Sequence, residues 1–187
     1  MDTTPVSLLQ RIQQSGDAVA WRRLVDLTSP LIFSWAQRAG LAQHDAADLV
    51  QEVLIVLVQE LPQFQYDPTR SFRAWLKTVT LNKHRERLRH NRAGPREQGN
   101  ATFDEVPQDE AEAFWERDFR EQLVVRAFEI MQSEFRPTSW RACWESVVSG
   151  RSAPEIAAEL GITAVAVHSA KSRILRRLRQ DLKGIME

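Results

Sequence analysis

Ser152-Ala153-Pro154-Glu155-Ile156-Ala157-Ala158-Glu159-Leu160-Gly161-Ile162-Thr163 is the most specific stretch of the chain. Ser152 and Glu155 have the spacing of an S-x-x-E capping box, and Pro154 falls in the first turn, where its missing N–H is harmless. Ile156 and Leu160 stand four apart, on one face. Gly161 sits where a tight turn between two helices requires a positive φ. Ile162 can plug the space between the helices, and Thr163 can cap the one that follows. From Ala164 to about Lys183, Val167, Ile174 and Leu178 recur at helical spacing and form an inner face. The outer face opens with His168, Ser169, Lys171, Ser172 and Arg173, which can donate to base edges and phosphates. Arg176, Arg177, Arg179 and Lys183 continue it, so that residues 171–183 hold six bases against one acid, Asp181. A short helix, a turn and a second helix is the arrangement that presents a helix to the major groove. A solvated charged helix over an Ile/Leu stripe is the plainer alternative; the capped helix and the Gly161 turn favour DNA binding.

Outward from this stretch the chain reads as all-α. No alternating Val/Ile/Thr run is bounded by Asn-Gly or Asp-Gly. Thr4-Pro5 offers a cap and a first-turn proline. A helix is expected from near Asp17, broken at Ser29-Pro30, with a second helix from Pro30 closed by Gly40. Asp45 to Glu60 is one long apolar helix. Pro62 to Thr69 is a loop, and Ser71 caps a long basic helix to about Arg92, ended by Gly94-Pro95. Residues 93–109, with two Gly, two Pro and many polar residues, form the best linker. Helices resume from about Glu110 to Ser133 and from Pro137 to Ser149, with Gly150 as the stop. The expected organisation is two small helical domains, 1–94 and 110–187, joined by a flexible linker, 95–109.

Two constellations lie in the first half. Asp48 and Glu52 are four apart and share a face with Asp45, beside Gln51. The rest of that helix is apolar on nearly every side, as in a central core helix or an interface. The carboxylates also suit the positive end of the helix dipole. No His or Cys accompanies them at ligand spacing, which speaks against acid–base or metal chemistry. The second constellation is basic: residues 70–92 carry Arg70, Arg73, Lys77, Lys83, Arg85, Arg87, Arg89 and Arg92 against the single acid Glu86. Phe64, Tyr66, Phe72 and Trp75 accompany them, with Asn82, His84 and His90. Bases track phosphates and aromatics stack on unpaired bases, a mixture suited to single-stranded nucleic acid. Phe72, Trp75, Leu76 and Val79 equally suit the core face of an amphipathic helix.

Composition sets the frame. The chain has 187 residues, 43% hydrophobic and 27% charged, values of a globular protein rather than a disordered one. Net charge is zero, but residues 1–95 carry 12 bases against 9 acids, 96–136 carry 5 against 11, and 137–187 carry 8 against 5. Two mildly basic blocks therefore flank an acidic middle, which weakens the case a neutral total would make against nucleic-acid binding. No stretch is long and apolar enough to span a membrane, no secretory signal is visible, and the one cysteine, Cys143, cannot form an internal disulfide. A cytoplasmic protein without membrane insertion is expected. Cys143, between Trp140 and Trp144, reads as a core thiol. The four histidines form no metal pattern, and neither a glycine-rich phosphate loop nor a nucleophile elbow appears. No catalytic residue, metal or cofactor is expected.

The order Asp48-Leu49-Val50-Gln51-Glu52-Val53, then Phe72-Arg73-Ala74-Trp75-Leu76 and Asn82-Lys83, then the capped helix and turn, then Val167, Ser169 and Lys171-Ser172-Arg173 resembles an extracytoplasmic-function (ECF) sigma factor of bacterial RNA polymerase. The resemblance runs from about Asp17 to Leu182. It implies a non-enzymatic promoter-specificity factor whose partners are core RNA polymerase and promoter DNA, with an anti-sigma factor as a further candidate. It implies that Asp48, Leu49, Gln51 and Glu52 bind the polymerase clamp. Phe64, the 65–71 loop, Arg70, Asn82, Lys83, Arg85 and Arg89 would capture the melted minus-ten element. Thr163, His168, Ser169, Lys171, Ser172, Arg173 and Arg176 would read the minus-thirty-five duplex. His168 and Ala166 stand where the family often has a bulkier base and a threonine. A one-component helix-turn-helix regulator, with a helical effector or dimerisation domain, is the alternative.

Overall fold

In the computed structural model of the chain the described residues are 7–64, 71–93 and 114–186. The Thr4-Pro5 cap, Arg70, most of the 93–109 linker and the helix start at Glu110 lie outside them. The helices are α1 (Leu8–Ser15), α2 (Ala18–Arg38), α3 (Gln43–Glu60), α4 (Phe72–Ala93), α5 (Phe119–Met131), α6 (Pro137–Val147), α7 (Ala153–Leu160) and α8 (Ala164–Leu182). No strand occurs among the described residues, so the chain is all-α as its sequence indicates. Its contacts divide it into two compact units, built on Val6–Val124 and on Val125–Leu182.

In the first unit, α1 starts at a capping box that the sequence reading passed over. Ser7 Oγ accepts from the Gln10 N–H at 3.3 Å, and the Ser7 N–H donates to Gln10 Oε1 at 3.0 Å. Asp17 caps α2 by accepting from the Val19 and Ala20 N–H groups, and Arg11 pairs with the same carboxylate. The expected break at Ser29-Pro30 does not occur: α2 runs unbroken from Ala18 to Arg38 with Pro30 inside it. An interior proline costs about 3 kcal/mol. Here Pro30 is exposed, while Leu24, Leu27, Leu31, Ile32 and Trp35 stay fully or almost fully buried on both sides of it. Burial of a large apolar side chain contributes about 1.5–3 kcal/mol each, so the packed stripe outweighs the lost backbone bond. Tertiary packing overrides the local signal.

Around this stripe α3 buries Ala46, Leu49, Val50, Val53 and Leu57, and α4 buries Phe72, Leu76, Val79 and His84. Ser71 caps α4 as expected, accepting from the Ala74 N–H at 3.2 Å. Phe64 meets Phe72 and Trp75 with ring centroids 6.4 and 5.1 Å away. Phe114–Asp118 forms a π-helical turn ahead of α5. Trp115 lies buried there, 6.2 Å from the ring of Trp35 and 5.4 Å from that of Phe119, and its carbonyl accepts from Arg73 Nη1 at 2.6 Å. These contacts explain why residues 114–124 pack with the first unit, and why the contact division falls at Val124–Val125 rather than in the 93–109 segment.

In the second unit, Ala142 of α6, Ile156 and Ala157 of α7, and Val167 and Ala170 of α8 form one core cluster, with Leu160 and Ile162 packed against it. The capping box holds: the Ser152 N–H donates to Glu155 Oε2 at 3.0 Å, and the Glu155 N–H donates to Ser152 Oγ. Gly161 closes α7 at φ 64°, and Thr163 Oγ1 accepts from the Ala166 N–H at 3.1 Å, capping α8. Trp140 packs on Phe128 at 4.8 Å. Cys143 is fully buried, and burial pushes its thiol pKa up, as befits a core thiol.

Candidate nucleic-acid interface

In the first turns of α3, the helical period sets Asp45, Asp48 and Glu52 on one face. That face is already occupied. Arg87, from α4, reaches across with Nη1 at 2.6 Å from Glu52 and Nη2 at 3.1 Å from Asp45 and 3.6 Å from Asp48. Burial works against the Arg87 charge, but Glu52 and Asp45 outweigh it and hold its pKa above the ordinary value. The sequence placed Arg87 in a phosphate-tracking row, yet its side chain is only 19% exposed and turned to α3. No local signal could have shown this, because its partners lie 35 and 42 residues earlier.

Gln51 is exposed beside these acids. Leu49 is fully buried, so it supports the helix from beneath and offers no surface to a partner, contrary to the expected contact. Further along α3, Ile55 and Val58 are more than half exposed. His44 also joins the acids, with Nδ1 3.6 Å from Asp45 and Nε2 3.7 Å from Asp48. The expectation that no histidine stood at ligand spacing is therefore corrected: the three side chains fall within ligating distance of one another. They are open to water, and exposed acidic groups of this kind are common without an ion.

On α4, Asn82, Arg85 and Arg89 are exposed and three or four residues apart, so they form one row. Lys83 is partly covered and pairs with Glu86 at 2.7 Å, which raises the pKa of the lysine. Phe64, half-buried against Trp75, stands where the chain enters the 65–70 segment. His84 points inward instead, edge-on to Trp35 at 5.8 Å. Burial, then the charges of Arg87 and Arg85, push its pKa down to about 4.

On α8, His168, Ser169, Ser172, Arg173 and Arg176 are exposed and Lys171 is half-exposed, opposite the buried Val167, Ala170 and Ile174. Val165 is 74% exposed at the start of the helix. Arg173 Nη2 donates to Ser139 Oγ of α6 at 3.3 Å. Arg177 is not a free member of the positive face: it meets Asp181 at 3.3 Å and Glu134 at 3.6 Å. Behind the turn, Arg151 bridges Glu145 of α6 and Glu159 of α7 at 3.4 and 2.6 Å, and Arg141 joins Glu159. This network ties α7 to α6, so the exposed row of α8 starts from a fixed base. No helix among the described residues is long and apolar enough to cross a membrane.

The profile of sigma-70 region 2 matches residues 24–94, the segment carrying the acidic face of α3 and the basic row of α4. The chain is similar to the ECF RNA polymerase sigma factor SigD of Mycobacterium tuberculosis, 28% identical over 178 residues, covering 90% of this chain and 79% of that one. It is as similar to the RNA polymerase sigma factor NccH of Alcaligenes xylosoxydans xylosoxydans, 28% identical over 177 residues and 91% and 90% of the two chains. The RNA polymerase sigma factor CnrH of Cupriavidus metallidurans is 35% identical over 78 residues, 42% of this chain and 40% of that one. Residues 24–94 thus match sigma-70 region 2 on the segment that forms the α3 and α4 surfaces, and most of the chain is similar to ECF sigma factors.

Proposed function

We propose that this sigma factor, which directs RNA polymerase to promoters, divides the work between its two units. The acidic face of α3, Asp48 and Glu52 with Gln51, docks on a basic surface of core polymerase. The exposed row of α4, Asn82, Arg85 and Arg89 with Lys83, Phe64 and Arg70, captures bases and phosphates of the melted minus-ten element. The exposed face of α8, His168, Ser169, Ser172 and Arg173 with Lys171 and Arg176, reads the minus-thirty-five element as duplex. Thr163, whose Oγ1 already accepts the α8 cap bond, keeps its hydroxyl O–H to donate to a phosphate at that helix end. The sigma-factor family is not an enzyme family; the chain contributes binding and the polymerase the chemistry, in the cytoplasm.

The observation that carries the reading is the α8 face: an exposed row of donors set over a buried seam, on a turn fixed by a capping box and Gly161. The test is promoter-dependent transcription with purified core polymerase and the full chain. Specific initiation that needs both components supports the reading. Tight, specific duplex binding without polymerase, and no initiation with it, would favour the one-component regulator instead.

A further inference from the structure

Arg87 stands between the two surfaces of the first unit. Its guanidinium is shared among three carboxylates rather than forked onto one. Those carboxylates are open to a second cation, with side-chain exposures of 33% for Asp45, 53% for Asp48 and 38% for Glu52. One positive charge against three negative ones leaves the face acidic, so a basic protein surface is still attracted while Arg87 is in place. On close approach that surface and Arg87 compete for the same oxygens. Arg87 is also not sealed in. It lines an open depression with Glu52, Glu86 and His90, and its own helix carries the exposed Arg85 and Arg89 two residues to either side.

We propose that Arg87 is a handover residue. In the free protein it neutralises part of the acidic face of α3; when polymerase takes those carboxylates, Arg87 is released to a phosphate of the promoter strand. Polymerase docking thereby supplies α4 with one more phosphate contact, and the free protein is held one contact short. This rests on the docking reading above and adds to it a competition between polymerase and an internal arginine.

The test uses the full chain, purified core polymerase and a promoter fragment. Arg87→Gln removes the internal competitor, and with pair strengths typical of partly exposed ions it should bind core about three- to tenfold more tightly than the wild type. In promoter complexes formed with saturating core, the same variant should lower the slope of log affinity against log salt by about 1, the signature of one lost phosphate contact. Arg87→Lys keeps the charge but cannot span three carboxylates; it should bind core with intermediate affinity and keep the wild-type slope. Equal or weaker core binding by Arg87→Gln at unchanged helicity, or an unchanged salt slope, overturns the handover and leaves Arg87 a brace between α3 and α4. If Arg87→Gln loses helicity, Arg87→Lys decides: core binding no tighter than wild type overturns the proposal. A wild-type chain that does not bind core at all refutes the docking reading itself, and the handover with it.

Discussion

Arg173 and Arg177 are one helical turn apart and chemically identical, yet the structure gives them different work. Arg173 is exposed and lightly held by Ser139, whereas Arg177 is tied to Glu134 and to Asp181, which is only 3% exposed. Arg173→Ala should weaken binding to promoters by about 1–3 kcal/mol where its base is present and much less where it is changed, with unfolding unaffected. Arg177→Ala should instead destabilise the fold by about 1–3 kcal/mol, since it withdraws a partner from a buried carboxylate. Binding titrations across variant promoters at fixed salt, run beside urea unfolding, separate the two. Equal loss on every promoter for Arg173→Ala would refute base reading by that residue. The sequence showed the bases of α8 as one row because charge is visible in a sequence and partners are not. The same blindness hid the carboxylate partners of Arg87 and put the buried Leu49 among the partner contacts.

Elements were legible where their ends are chemical. Ser152 with Glu155, Gly161, Thr163 and Ser71 each mark a helix end by a side-chain or backbone requirement confined to four residues, and the structure uses every one of them. Pro30 misled because its effect depends on what the helix packs against. That difference is testable. Pro30 is exposed within a continuous helix, so Pro30→Ala restores an N–H that can donate to the Asp26 carbonyl. The gain is offset by the freer unfolded chain, about 0.4–1 kcal/mol, against about 3 kcal/mol of interior proline cost. A net stabilisation of about 2 kcal/mol is expected in chemical unfolding. A loss of stability would mean that α2 needs the proline for its curvature. At the other helix end, Ser152→Ala should cost about 1 kcal/mol by removing the cap of α7. Alanine leaves the Glu155 carboxylate its bond to the backbone N–H, so the loss should stay near that value. The same element scale governs the acidic face. Asp48→Arg with Glu52→Arg should abolish core binding in a pull-down, while circular dichroism keeps its helical signal because Asp45 still engages Arg87.

Across the whole molecule the two units hold their titratable groups differently, and this predicts an order of acid response. His84 belongs to the first unit, 3% exposed, with a pKa pushed from 6.5 to about 4 by burial and then by Arg87 and Arg85. An unfolded chain therefore binds a proton at His84 through a range in which the folded chain does not. Stability is full above pH 6.5 and is lost as pH falls towards about 4, by roughly 3 kcal/mol at most. The second unit leans on carboxylates. Glu155 is held low by its bonds to Ser152, and Glu159 by its bond to Arg151. Their contribution is present above the ordinary 4.5 and fades only below it. Amide hydrogen exchange, corrected for intrinsic rates and stepped from pH 7 to pH 4, should thus show protection falling first in α2, α3 and α4, with α7 and α8 unchanged until below about pH 4.5. His84→Gln should flatten the decline in the first unit between pH 6.5 and 5 while leaving the second as it was. Parallel loss of protection in both units above pH 5, or an unaltered decline in the variant, would show that His84 does not set the acid limit of the first unit.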